Sequence, residues 1–70
     1  MNGFVKRELP SSDHRRRFEF ERKMDGEMVE LTTRPGFAGI VPGPSVLVNA
    51  HISASRSDGR MIVDELVIVA

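Results

Sequence analysis

The sequence has no cysteine, tryptophan or tyrosine, and phenylalanine, present at four positions, is its only aromatic residue. Without cysteine the chain has no disulfide and no cysteine-ligated zinc site. Seventy residues form one domain at most, and a core of that size supplies only about 3–5 kcal/mol. Because disulfide and cysteine–zinc supports are missing, we expect oligomerisation, or docking onto a larger partner as a subunit, to provide the remaining support.

Net charge, a membrane-length apolar run and a targeting segment are also missing. Ten basic and ten acidic residues cancel, which removes the strongly positive overall field that favours nucleic-acid binding. The longest apolar run, residues 66–70, is far shorter than the roughly 20 residues that span a bilayer. The first seven residues lack the apolar segment of a signal peptide. We therefore expect no membrane partner and a cytoplasmic location, with which the absence of cysteine agrees.

Signatures of catalysis are absent as well. There is no cysteine nucleophile and no glycine-rich phosphate loop leading into a helix. His51 lies on one predicted strand with Ser53 and Ser55, where i, i+2 spacing does not form a catalytic triad. His14 and His51 share no recognised metal-ligand spacing with the scattered carboxylates. The sequence therefore predicts a protein that is not an enzyme and that has no metal site and no cofactor.

Alternation of apolar and polar residues is the dominant pattern, and it is typical of β-strands. The predicted strands are residues 3–9, 14–23, 27–33, 45–55 and 60–70. The predicted turns are residues 10–13, 24–26 and 56–59. The last two turns end in Asp-Gly, the strongest short-range hairpin signal. These features predict a single all-β domain over residues 1–70.

The segment 34–45 contains three prolines and three glycines, which exclude a helix and any central strand. It is therefore predicted to be a loop, and it carries the apolar residues Phe37, Ile40 and Val41. Two interpretations follow. These side chains plug one end of the domain, or they form an exposed loop that contacts a protein partner, since loops on a rigid scaffold often carry function.

The last predicted strand changes its apolar phase along its length. Met61 and Val63 occupy one phase of the alternation, whereas Leu66 and Ile68 occupy the other. A β-bulge near residues 64–65 would bring both pairs to the same face. A strand buried on both faces is the alternative explanation.

The end of the chain has a recognisable pattern of an alternating strand, a glycine turn and a final strand with an acidic residue before an apolar triplet. The residues that carry it are Val46, Val48, Ala50 and Ile52, followed by Gly59, Val63, Glu65 and Leu66 to Ile68. This pattern resembles the last two strands of the OB-fold family. Ala50 stands where that family often has glycine, and the loop 34–45 stands where it commonly has a helix.

The resemblance implies a small five-stranded antiparallel barrel, OB-like in architecture. Seventy residues are too few for a two-sheet sandwich of immunoglobulin type. Because the loop 34–45 replaces the family's helix, an SH3-like barrel is the alternative.

The resemblance also implies binding of single-stranded DNA or RNA, since such proteins combine aromatic stacking platforms with basic side chains that follow the phosphates. The second predicted strand supplies both kinds of residue. The predicted nucleic-acid-binding residues are Arg15, Arg16, Arg17, Phe18, Phe20, Arg22 and Lys23. In the alternative interpretation Phe18 and Phe20 belong to the core, and the arginines flank the ends of the strand.

Interaction with a protein partner is the competing functional class. A small, neutral barrel can serve as an accessory subunit, a homo-oligomer or a small regulator of phage or plasmid type. Edge strands of such a barrel can pair with a strand of a partner. The predicted protein-contact residues in this interpretation are Phe37, Ile40 and Val41.

Overall fold

Five β-strands make up the computed structural model of the chain, which describes residues 1–11, 14–55 and 60–69. The strands are β1 (Asn2–Leu9), β2 (Arg17–Arg22), β3 (Met28–Thr33), β4 (Val48–Ser55) and β5 (Met61–Ile68). None of the described residues lies in a helix, so no helix in this part of the chain could cross a membrane. The predicted all-β class is confirmed.

The hairpin between β2 and β3 turns at Asp25 and Gly26, as the sequence predicts. Gly26 has a φ of 71°, a left-handed conformation that glycine adopts without steric cost. Its N–H donates to the carbonyl of Arg22 at 2.7 Å, and the Asp25 carboxylate accepts from the N–H of Glu27 at 3.0 Å. The predicted turn at 56–59, positions 12 and 13 of the first turn, and position 70 lie outside the described residues.

The strands form a closed barrel in the order β1-β2-β3-β5-β4. Since β4 also pairs with β1, the spatial order β4-β1-β2-β3 is a Greek key, whose long connection is the segment between β3 and β4. The barrel is of mixed orientation, consistent with a small OB-like or SH3-like barrel. The prediction of a wholly antiparallel barrel needs one correction, because β3 and β5 are parallel. A closed ring of five strands, an odd number, cannot be antiparallel at every pair, and the other four pairs are antiparallel.

Two short seams close the barrel. The parallel seam pairs Leu31–Thr33 of β3 with Met61–Val63 of β5. The other seam pairs Asn2 and Gly3 of β1 with residues 49 and 48 of β4. Because β4 and β5 pair with each other over almost their whole lengths, both strands extend well beyond these seams. Each of them therefore has a stretch with a strand neighbour on one side only.

A β-bulge at Asp64 accounts for the change of apolar phase in β5. His51 pairs with Glu65 and the next residue, Ile52, pairs with Val63. Asp64 is thus left without a partner across the ladder. The extra residue returns the two halves of the strand to a common face, which confirms the predicted bulge.

The core receives side chains from all five strands. Among the described residues, the buried apolar side chains are Val5, Phe18, Phe20, Leu31, Val48, Ala50 and Val63. Partly buried apolar residues pack around them: Met1, Val29, Val41, Val46, Ile52, Met61 and Leu66. Alternation along each strand sends these side chains inward and places charged residues such as Arg17, Glu19 and Glu30 on the outside of the barrel. Glu8 and Arg22 share the inner phase of Phe18 and Phe20 and lie at the ends of the strand pair.

Candidate interaction surfaces

Phe18 and Phe20 lie in the core of the barrel. Both side chains are 0% exposed, and their register partners on β3 are Leu31 and Val29. A stacking platform needs a ring face that a base can reach. Their burial corrects the prediction that these two rings bind nucleic acid and agrees with the alternative interpretation, in which they belong to the core.

Arg16 covers the end of the core next to Phe18. Its guanidinium lies 5.3 Å from the centroid of the Phe18 ring, a distance typical of a cation–π contact. The same guanidinium donates two hydrogen bonds, of 2.9 and 2.8 Å, to the carboxylate of Glu8. Hydrogen bonding to Arg16 lowers the pKa of the Glu8 carboxyl and raises the pKa of Arg16. Arg16 is therefore engaged within the chain, as a bidentate pair.

Arg17 lies on the outer face of β2, within a group of five charged residues that we call the outer charge ladder. Arg17 donates to the Glu30 carboxylate at 3.1 and 2.8 Å, and Glu30 also forms an ion pair of 3.0 Å with Arg60. One carboxylate thus links β2, β3 and the residue that precedes β5. The members of the outer charge ladder are Arg7, Arg17, Glu19, Glu30 and Arg60, with Arg7 and Glu19 paired at 2.7 Å.

Arg22 binds two carboxylates in the β2–β3 hairpin. It donates to Asp25 at 3.0 and 2.6 Å and to Glu27 at 2.8 Å. The hydrogen bonds that Asp25 accepts from Arg22 and from the N–H of Glu27 lower the pKa of its carboxyl to about 2. Hydrogen bonding to Asp25 in turn raises the pKa of Arg22.

The remaining predicted basic residues lie apart from one another. Arg15 donates to the carbonyl of Thr33 at 3.4 Å. Lys23 lines a shallow surface depression together with Met1, Asn2, Arg22 and Met24. The seven predicted nucleic-acid-binding residues are therefore divided between the core, intramolecular ion pairs and separate parts of the surface.

The loop 34–45 is partly packed against the core and partly exposed. Val41 packs against the core and Phe37 is partly buried, as expected of a plug. Ile40, in contrast, is 88% exposed. Within this loop Ile40 is thus the one predicted protein-contact residue that is fully accessible.

Further exposed apolar side chains lie at the C-terminal end of β5 and on the residue that follows it. Val67, Ile68 and Val69 are 38%, 59% and 39% exposed. Ile68 lies opposite the buried Val48, on the inner face, and it is exposed because β3 pairs with β5 only as far as Val63. Val67 and Val69 have the outer phase and Ile68 the inner one, so apolar side chains are exposed on both faces of this segment.

The backbone of the same segment has hydrogen-bonding groups that point away from β4. The N–H of Val69 donates to the carbonyl of Leu47 at 2.9 Å. Because hydrogen-bonded and non-hydrogen-bonded pairs alternate in an antiparallel ladder, Val67 also bonds to β4, whereas Leu66 and Ile68 do not. Among residues 1–11, 14–55 and 60–69, no backbone group bonds to the outward N–H or C=O of these two residues.

We call residues 64–69, with their exposed apolar side chains and their outward backbone N–H and C=O groups, the free edge of β5. From the sequence, the β-branched apolar run is compatible with a strand buried on both faces, which is one of the two interpretations given above. The exposure follows from the length of the parallel seam, a long-range property. The predicted bulge was the one local signal, since bulges are frequent at sheet edges.

Metal ligands do not gather in the described part of the chain, where no group of three or more His, Asp or Glu side chains could hold an ion. Asp64, at the bulge, instead forms an ion pair with Arg34.

Comparison with protein-family models, with curated proteins and with solved structures finds no match to this chain, so its function is inferred from its own geometry.

Proposed function

We propose that this protein is a protein-interaction module that binds an extended segment of a protein partner along the free edge of β5. The observation that carries the proposal is the combination of outward backbone groups at Leu66 and Ile68 with exposed apolar side chains at residues 67–69. In strand addition, main-chain hydrogen bonds supply affinity and the side chains supply specificity. An exposed apolar edge strand otherwise invites uncontrolled aggregation, so a specific partner is the economical explanation.

The Greek-key order of the strands supports an OB-like barrel as the scaffold, since the OB-fold is a five-stranded Greek-key barrel. That scaffold hosts many unrelated functions. The choice of partner therefore depends on the surface of this chain and not on its fold.

The surface of β2 favours a protein partner over single-stranded nucleic acid. Phe18 and Phe20, the two rings expected to stack on bases, are buried, and Arg16, Arg17 and Arg22 are each bonded to carboxylates of the chain. A phosphate would have to displace those carboxylates. With a net charge of zero, the protein also lacks the overall field that draws nucleic acid in.

Selection of short peptides from a random library displayed on phage tests the proposal. We expect the selected peptides to bind in an extended conformation and to slow amide hydrogen exchange at Leu66 and Ile68. Ile68→Asp should abolish this binding, because it places a charge on the free edge. The matched control Ile40→Asp changes an isoleucine on the loop that is even more exposed than Ile68, and it should leave binding unchanged.

Three results would overturn the proposal. The first is the failure to select any peptide with a protein that is also a monomer, because no segment of any kind would then bind the edge. The second is selection of peptides that the Ile40 variant loses and the Ile68 variant keeps. The third comes from titrating labelled single-stranded oligonucleotides at two salt concentrations. Binding that weakens steeply with salt would indicate phosphate contacts and would assign the function to nucleic acid.

A further inference from the structure

We infer that the segment occupying the free edge of β5 is β5 of a second copy of this chain, paired antiparallel about a two-fold axis at Val67. The inference rests on the proposed function, because it names the partner of the same edge. A two-fold pair uses the same surface on both copies, so the edge must be complementary to itself.

The backbone of the free edge meets that requirement. With the axis at Val67, Leu66 of each copy lies opposite Ile68 of the other. Both residues have N–H and C=O groups that point away from β4, so each such pair exchanges two hydrogen bonds in the manner of an antiparallel ladder. Val67 lies opposite its own copy in a non-hydrogen-bonded pair, where side chains approach most closely.

The side chains agree with the same register. Val67 packs on Val67 of the second copy, and Val69 lies opposite Glu65 of the second copy. The acidic residues Asp64 and Glu65 of one strand therefore never face those of the other. In a parallel arrangement each acidic residue would lie opposite itself, and like charges directly opposite destabilise a strand pair.

The inner face of the edge also lacks a cover from the described residues of this chain. Ile68 lies on the same face as the buried Val48, yet 59% of it is exposed because β3 does not extend beside it. A neighbouring strand at the edge would cover this side chain and extend the sheet across two barrels.

The composition favours a second copy over a foreign strand. The chain has no disulfide, only seven apolar side chains are buried among residues 1–11, 14–55 and 60–69, and domains of this size are commonly stabilised by association. Its formal net charge is zero, so two copies do not repel one another as charged proteins do. Self-association at β5 supplies the missing support.

Substitution of Val67, the residue at the two-fold axis, by residues of opposite charge tests the inference. Val67→Lys and Val67→Glu each place like charges opposite one another in a pair of identical copies. We expect the unmodified protein to sediment as a dimer, and each variant alone to have a dissociation constant raised about tenfold or more. An equimolar mixture of the two variants should form a one-to-one heterodimer, because lysine then faces glutamate.

Val69→Lys is the matched control on the same strand. It places lysine opposite Glu65 of the second copy, so dimerisation should be unchanged or tighter. If dimerisation depended on apolar surface alone, the same substitution would weaken it. Residue 67 lies on the outer face opposite Asn49, and circular dichroism should show that the variants keep the barrel.

The inference fails if the unmodified protein is a monomer at all accessible concentrations, if Val67→Lys dimerises like the unmodified protein, or if the mixture forms no heterodimer. If it fails while selected peptides still protect the Leu66 and Ile68 amides, the edge binds another protein and the proposed function stands. If neither the second copy nor any peptide binds, both proposals are overturned.

Discussion

Gly3 lies against the ring of Phe20 so closely that no side chain fits at residue 3. A Cβ there would be 2.6 Å from Cε1 of the ring and would overlap the carbonyl oxygen of Glu21. Gly3 pairs with Arg22 on β2 and with Val48 on β4, so it belongs to one of the two seams. The absence of a side chain allows β1 to contact both neighbouring strands at this point.

Gly3→Ala should therefore destabilise the protein. The added methyl group meets backbone and a buried ring that cannot move freely, and overpacking of this kind costs about 1–3 kcal/mol. Urea unfolding, followed by circular dichroism, measures the change in the free energy of unfolding. Gly43→Ala is the control, because a Cβ at residue 43 meets nothing within 4 Å, and it should cause no loss. Equal stability of the two variants would contradict the close packing at Gly3.

Phe20→Ala should unfold the chain or leave it barely folded. Removing a buried phenylalanine side chain costs about 3–5 kcal/mol, which equals the whole stability expected of a core this small. Phe4→Ala is the matched control, since Phe4 is only partly buried on the adjacent strand and should cost clearly less. Thermal unfolding compares the two variants. A folded Phe20→Ala protein with normal stability would show that the ring is not a core residue.

Much of the local structure could be predicted because alternation is a property of neighbouring residues. The pattern at Phe18 and Phe20 places both rings on one face, and the Asp25-Gly26 turn follows from the conformational freedom of glycine. Alternation does not tell which face is inside, however. The sequence therefore allowed the same rings to be core or binding platform, and only the closure of the barrel decides between them.

The pairing of distant strands was beyond local reasoning. The parallel neighbours Leu31 and Met61 are far apart in the sequence, and no residue pattern sets the length of their seam. Without the length of that seam, the exposure of Ile68 cannot be foreseen. Ion pairs between strands also cannot be predicted from local sequence, because Arg17 and Glu30 come together only when β2 and β3 pair. Basic residues that looked available in the sequence are thus neutralised in the fold.

Asp25 should make the stability of the β2–β3 hairpin depend on acid pH. Hydrogen bonds from Arg22 and from the N–H of Glu27 lower the pKa of its carboxyl from 3.8 to about 2 in the folded protein. Because the folded pKa is depressed, this stabilisation is present above pH 3.8 and is lost as the pH falls through about 2. A carboxyl-carbon NMR titration should give a midpoint near 2 for this residue.

Asp25→Asn separates this effect from the general acid sensitivity of the protein. The variant keeps an acceptor for the N–H of Glu27 but has no charge to titrate. It should therefore lose less stability than the unmodified protein over the same acid range. An Asp25 midpoint at the ordinary carboxyl pKa, or equal acid sensitivity of both proteins, would show that the Arg22 pair does not form in solution.

Two adjacent buried threonines should respond oppositely to replacement by valine. The Thr32 hydroxyl is buried and, among residues 1–11, 14–55 and 60–69, has no hydrogen-bond partner, so Thr32→Val should raise the free energy of unfolding by about 1 kcal/mol. The Thr33 hydroxyl accepts from the N–H of Arg16 at 2.9 Å, and Thr33→Val should lower it by about 1–3 kcal/mol because that donor loses its partner. Urea unfolding of both variants measures the difference. A loss of stability in Thr32→Val as large as that in Thr33→Val would mean that the Thr32 hydroxyl has a partner after all.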